Sequence, residues 1–189
     1  MRSNVTRAAE GFDRRSFTVA EILRMQDSGI VSEDENFELI EGEIVPTQAK
    51  THVHELLKSA LTMEVVRALP ENLRMGVVTT ISLRAHTFVE PDRVVYPRGI
   101  KLEEVKGSDI LLAIEVAVTS LSYDRGLEAR PLCAPSLSPE LWVVDGARRV
   151  TFVHREPEGE GWRSIVERGP DEALTLAALP DFSMRLGAV

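Results

Sequence analysis

Cysteine is nearly absent: the 189-residue chain carries one, Cys133. That excludes an intramolecular disulfide framework and any zinc site built on paired thiolates. Cys133 sits between Pro131 and Pro135 with no obvious activating partner, which reads as an inert thiol rather than a nucleophile. No apolar run approaches ~18 residues, so no membrane-spanning helix is expected. The stretch Met1 to Glu10 lacks the apolar core of a secretory signal, and a cytoplasmic setting is the expectation. Internal repeats, Gly-rich phosphate loops, His-Glu-x-x-His and Gly-x-Ser-x-Gly are all missing. The four histidines are too few and too dispersed for a metal cluster. Basic residues are outnumbered by acidic ones, and the net charge of −8 argues against a broad electrostatic grip on nucleic acid. A local basic groove stays open.

What the chain does contain fits one domain. Residues 1–15 read as a flexible polar lead and 16–189 as a single domain, long enough to bury a real core. Thr18 and Glu21 form a capping box, and Phe17 with Ile22 a hydrophobic staple, at the start of a helix that ends near Gly29. Residues 36–45 read as a hairpin turning at Glu41-Gly42. A second amphipathic helix carries Leu57, Leu61, Val65, Ala68 and Leu69 on one side and stops at Pro70. Strands are expected at 76–83, 93–96, 110–118, 141–144, 149–154 and 162–166. Helices first and then a mixed sheet point to an α/β or α+β domain in two or three layers.

Two acids stand out against this frame. Glu115 lies inside the apolar run 110–118, which reads as a strand buried on both faces, and Asp92 precedes it by 23 residues. A carboxylate there costs several kcal/mol unless it is paired or bound to a cation. If Asp92 ends the neighbouring strand, both carboxylates can converge on one magnesium or manganese ion, which wants oxygen ligands. The ordinary alternative is a structural ion pair between Glu115 and an arginine, and spacing alone does not choose. Glu38 becomes a third acid near the pair if its strand face turns inward, and a solvated residue if it turns outward. His52 and His54 open the second helix, where histidines more often cap a helix end than bind a ligand.

Residues 37–46 (Phe-Glu-Leu-Ile-Glu-Gly-Glu-Ile-Val-Pro), 54–61 and 88–97 (Phe-Val-Glu-Pro-Asp-Arg-Val-Val-Tyr-Pro) resemble the Uma-type family of proposed endonucleases. So do 114–117, 120–126 and 140–145, in the same order across about residues 17–186. The family is similar to the restriction-endonuclease-like superfamily, whose pattern is Pro-Asp, then an acid, then a lysine. The resemblance implies a central mixed β-sheet flanked by helices, a Mg²⁺ (or Mn²⁺) site, DNA as substrate and a homodimer. It assigns Asp92 and Glu115 as the metal-binding acids and Glu38 and His54 as accessory catalytic positions.

The pattern breaks at the lysine. Two residues beyond Glu115 stands Ala117, and the family's alternative lysine position, on the helix after Asp-x-Gly, matches Glu128. No lysine follows Lys106, and Pro131, Pro135 and Pro139 interrupt the helix expected there. Arg125 and Arg130 are the nearest cationic substitutes, although guanidinium and ammonium are not interchangeable. Two readings follow: an endonuclease with weakened or absent cleavage, or a degenerate relative serving as a binding or assembly module.

Overall fold

The structure is a computed structural model that describes residues 15–32, 35–47, 52–77, 80–117, 137–159 and 161–188. Helix α1 spans Val19–Asp27 and begins at the expected capping box: Thr18 accepts from the Glu21 N–H, and Glu21 reaches back to the Thr18 N–H. Strands β1 (Phe37–Ile40) and β2 (Glu43–Pro46) form the expected hairpin, with positive φ at both Glu41 and Gly42. That is the turn whose twist suits a two-residue hairpin loop. A side chain at Gly42 is doubly blocked, because its φ is +83° and a Cβ would lie 2.0 Å from Ser16 Oγ. Gly42→Ala should therefore cost about 1–3 kcal/mol. A urea midpoint equal to that of the wild type would contradict this account of the turn.

Helix α2 spans His52–Ala68 and is followed by β3 (Leu73–Val77), β4 (Ile81–Arg84), β5 (Thr87–Val89) and β6 (Arg93–Pro97). The single strand expected at 76–83 is thus two strands, and they belong to different sheets. Apolar alternation does not reveal a change of partner, and β5, three residues long, is too short to show an alternation at all. Then come β7 (Leu112–Ala117), β8 (Glu140–Asp145), β9 (Val150–Glu158), β10 (Gly161–Arg168), β11 (Ala173–Leu176) and β12 (Leu179–Arg185). The last two were not anticipated. Residues 118–136, including Glu128, Arg125, Arg130 and Cys133, lie outside the described residues, as do residues 1–14.

A six-stranded mixed sheet, ordered β10-β9-β8-β7-β6-β3, is the centre of the fold. Its β7–β8 pair is parallel, and its other pairs are antiparallel. One face packs Leu112, Ile114, Val116 and Trp142 against Leu61 and Val65 of α2 and against Leu174, Phe182 and Met184 of the β11–β12 ribbon. The opposite face packs Val94, Tyr96, Ala113 and Val143 against Ile40, Ile81 and Val89 of a four-stranded sheet, ordered β2-β1-β5-β4. Helix α1 covers the far side of that second sheet, packing Ile22 against Phe37 and Leu39 of β1 and Phe88 of β5. The expectation of a mixed α+β architecture holds, and β7, covered on both faces, is the buried strand the apolar run implied. Among the described residues no helix is long and apolar enough to cross a membrane.

Candidate active site

Strands β6 and β7 pair with Arg93 opposite Ile114, a register that brings Asp92 opposite Glu115 just beyond the last ladder bond. There the side chains take over from the backbone. Asp92 Oδ2 accepts from the Val116 N–H at 2.9 Å, and Glu115 Oε1 accepts from the Asp92 N–H at 3.2 Å. Each acid thus accepts from the backbone of the other's strand segment, at one end of adjacent strands. Arg93 donates to the Asp92 carbonyl at 2.6 Å and to Thr62 Oγ1 at 2.8 Å, tying this corner to α2.

Helix α2 supplies the positive charge. His54 Nε2 lies 2.9 Å from the Val116 carbonyl oxygen and 3.3 Å from Asp92 Oδ2. A carbonyl only accepts, so this nitrogen carries a proton. Nδ1 faces Glu55 Oε1 at 3.3 Å, and the doubly protonated ring satisfies both sides. The Asp92 hydrogen bond accordingly raises the His54 pKa above its ordinary value, against the opposing effect of burial. One turn later Lys58 places Nζ 3.2 Å from Asp92 Oδ1 and 3.0 Å from Glu55 Oε1, with its side chain only 2% exposed. Burial on its own would raise the Asp92 pKa. The bonds from His54 and Val116 and the charge of Lys58 outweigh it and hold the carboxyl at about 2.

Glu38 is turned inward and buried, and its Oε1 accepts from the Glu90 N–H at 2.9 Å. It therefore braces the Glu90-Pro91-Asp92 corner from the second sheet. All four residues expected at the site lie on or beside this corner: Glu115 and His54 each reach Asp92, and Glu38 joins through the backbone of Glu90. The sequence reading missed Lys58. The expected lysine follows Glu115, whereas the ammonium that reaches Asp92 comes from α2, four residues after His54. The i, i+4 spacing puts Lys58 on the helix face of His54, a signal that becomes readable only once His54 itself is placed at the site.

The same geometry bears on a metal ion. The donor set is hard: two carboxylates and the Val116 carbonyl, all oxygen. Among the described residues no three His, Cys, Asp or Glu side chains form a metal-ligating group. A site of two carboxylates suits magnesium, which keeps several waters and is commonly bound through one or two carboxylates. The residues present fit such an ion.

A family model described as "Putative restriction endonuclease", Uma2, matches residues 19–187. The chain belongs to the Uma2 family. Curated proteins give no match. Among solved structures, a crystal structure of "a putative nuclease belonging to DUF820" from Anabaena variabilis ATCC 29413 is similar, with a TM-score of 0.66 at 14% identity. The match covers 91% of this chain and 96% of that one, so this Uma2 member shares the fold of that protein over nearly its whole length.

Proposed function

We propose that this Uma2 protein is a divalent-metal-dependent endonuclease that hydrolyses DNA phosphodiesters at the Asp92–Glu115 corner. The reciprocal latch between those two acids carries the reading, because it holds two carboxylates and a carbonyl at one strand end where the fold alone does not require them. Asp92, Glu115 and the Val116 carbonyl would hold Mg²⁺ or Mn²⁺. The bound ion supplies Lewis acidity toward the phosphate and a more acidic water. In the reaction, water adds to phosphorus and one ester P–O bond breaks. The water's proton goes to solvent, and the leaving oxygen takes one from solvent. His54 and Lys58 offset the negative charge of Asp92, and Glu38 keeps the Asp92 corner in place through Glu90. With the chain at −8, DNA contact should be weak, local and salt-sensitive.

A second reading, a binding or assembly module without cleavage, draws on Ala117 at the strand lysine position and on an Asp92 carboxylate already neutralised by α2. Plasmid nicking separates the two. The endonuclease reading expects supercoiled DNA to be nicked with Mg²⁺ or Mn²⁺ and not with EDTA, at a rate that falls about 10³-fold or more in Glu115→Ala. Duplex binding without nicking favours the module. Cleavage undiminished by Glu115→Ala would place the chemistry elsewhere.

A further inference from the structure

We propose that Lys58 is a built-in counter-cation that competes with the divalent ion for Asp92 and so sets how much metal the site needs. The inference rests on the metal-dependent reading above and deepens it. Both oxygens of Asp92 are already engaged: Oδ2 by the Val116 N–H and His54 Nε2, Oδ1 by Lys58 Nζ at 3.2 Å. A divalent ion approaching this carboxylate therefore meets a charge that is already balanced.

Lys58 is the more deeply buried of the two cations. Its side chain is almost wholly buried, on a helix anchored in the core by Leu61 and Val65 on either side of the Thr62 link to Arg93. A lysine buried that far keeps its charge only beside fixed acids, and Asp92 and the half-exposed Glu55 are those acids. Glu55 also gives the ammonium somewhere to go. When metal takes Asp92, Nζ can keep its bond to Glu55, which is 3.0 Å away and open to solvent. Two of the three N–H donors have these acceptors, so moving off Asp92 leaves the buried ammonium with one protein partner, and the loss of the other is a cost that the metal must meet. Lys58 acts on the reaction through Asp92 and is a positioning residue in that sense.

The test is metal affinity, measured without any nucleic acid. Mn²⁺ binding to wild type, Lys58→Met, Lys58→Gln and Lys58→Arg would be followed by titration calorimetry at 20 °C and by the Mn²⁺ electron paramagnetic resonance signal. Removing a unit positive charge that sits 3.2 Å from Asp92 Oδ1 should tighten binding roughly tenfold or more in Lys58→Met and Lys58→Gln. Lys58→Arg, which keeps the charge, should stay within about threefold of wild type. A residue that merely supports the fold predicts the opposite for the neutral variants, namely unchanged or weaker Mn²⁺ binding, and that result overturns the proposal. So does the lack of Mn²⁺ binding in every variant. Should the methionine variant fail to fold, the glutamine variant carries the comparison. Tightened Mn²⁺ binding without plasmid nicking by any variant would leave the Lys58 role standing and remove the endonuclease reading alone.

Discussion

Replacing Asp92 with alanine should destabilise the folded chain by about 3–5 kcal/mol, the usual cost of removing one partner from a buried ion pair. For a chain of this size that corresponds to a fall of roughly 10 °C in melting temperature. The loss comes from what Asp92 leaves behind. Lys58 would keep only Glu55, His54 would keep its carbonyl and Glu55 contacts, and the Val116 N–H would lose its acceptor. Most of the cost should therefore be the stranded ammonium. The double variant Asp92→Ala with Lys58→Met should recover a large part of it, giving a coupling energy well outside additivity. Asp92→Asn should fall between, because its carbonyl still accepts from Val116 while its amide offers nothing to Lys58. Thermal or urea unfolding of the wild type, Asp92→Ala, Lys58→Met, the double variant and Asp92→Asn checks this. Strictly additive losses would mean that Asp92 and Lys58 are neighbours without an energetic link. The variant should also lose the stabilisation by Mn²⁺ expected of the wild type.

How legible this corner was depends on the residue. Asp92 and Glu115 could be paired from sequence because a carboxylate within an apolar strand needs a compensating partner, and the β6–β7 register supplies the neighbour. The hairpin at Glu41-Gly42 and the Thr18–Glu21 capping box were legible because each rests on local backbone chemistry. Glu38 was ambiguous until the second sheet showed that its face turns toward the central one, with Ile40 in the core between them. Lys58 was obscured by α2 itself. That helix exposes Val53, Leu56, Met63 and Val66 on its outer side while burying Lys58, Leu61 and Val65 on its inner side. With apolar residues on both faces, the periodicity did not mark Lys58 as an inward position. Strands β3 and β4 were merged for a related reason: alternation reports a strand and is silent on which sheet it joins.

Glu140 offers an equally large effect that should spare the site. Its buried carboxylate accepts from three donors: Trp142 Nε1 at 2.7 Å, Arg155 Nη2 at 2.9 Å and the Ala177 N–H at 2.8 Å. One side chain thus joins β8, β9 and the β11–β12 turn beneath the central sheet. Glu140→Ala removes the acceptor from all three. Arg155 is partly exposed and keeps the Thr175 carbonyl, so it can turn toward water. Trp142 is fully buried and the Ala177 N–H is partly so, and each orphaned donor costs about 1–3 kcal/mol. Adding the cavity left by the side chain, the expected loss is about 3–5 kcal/mol. Register then separates fold from chemistry. Leu141 lies beside Ala113 and Val143 beside Glu115, so Glu140 sits at the opposite end of β7 from the acids, about 10 Å along the strand. Mn²⁺ affinity measured at 20 °C, where the variant should still be folded, is therefore expected to match the wild type within about twofold even as the melting temperature drops by roughly 10 °C. A large change in Mn²⁺ affinity would show that the two ends of β7 are mechanically linked. An unchanged melting temperature would mean that the three donors find other acceptors.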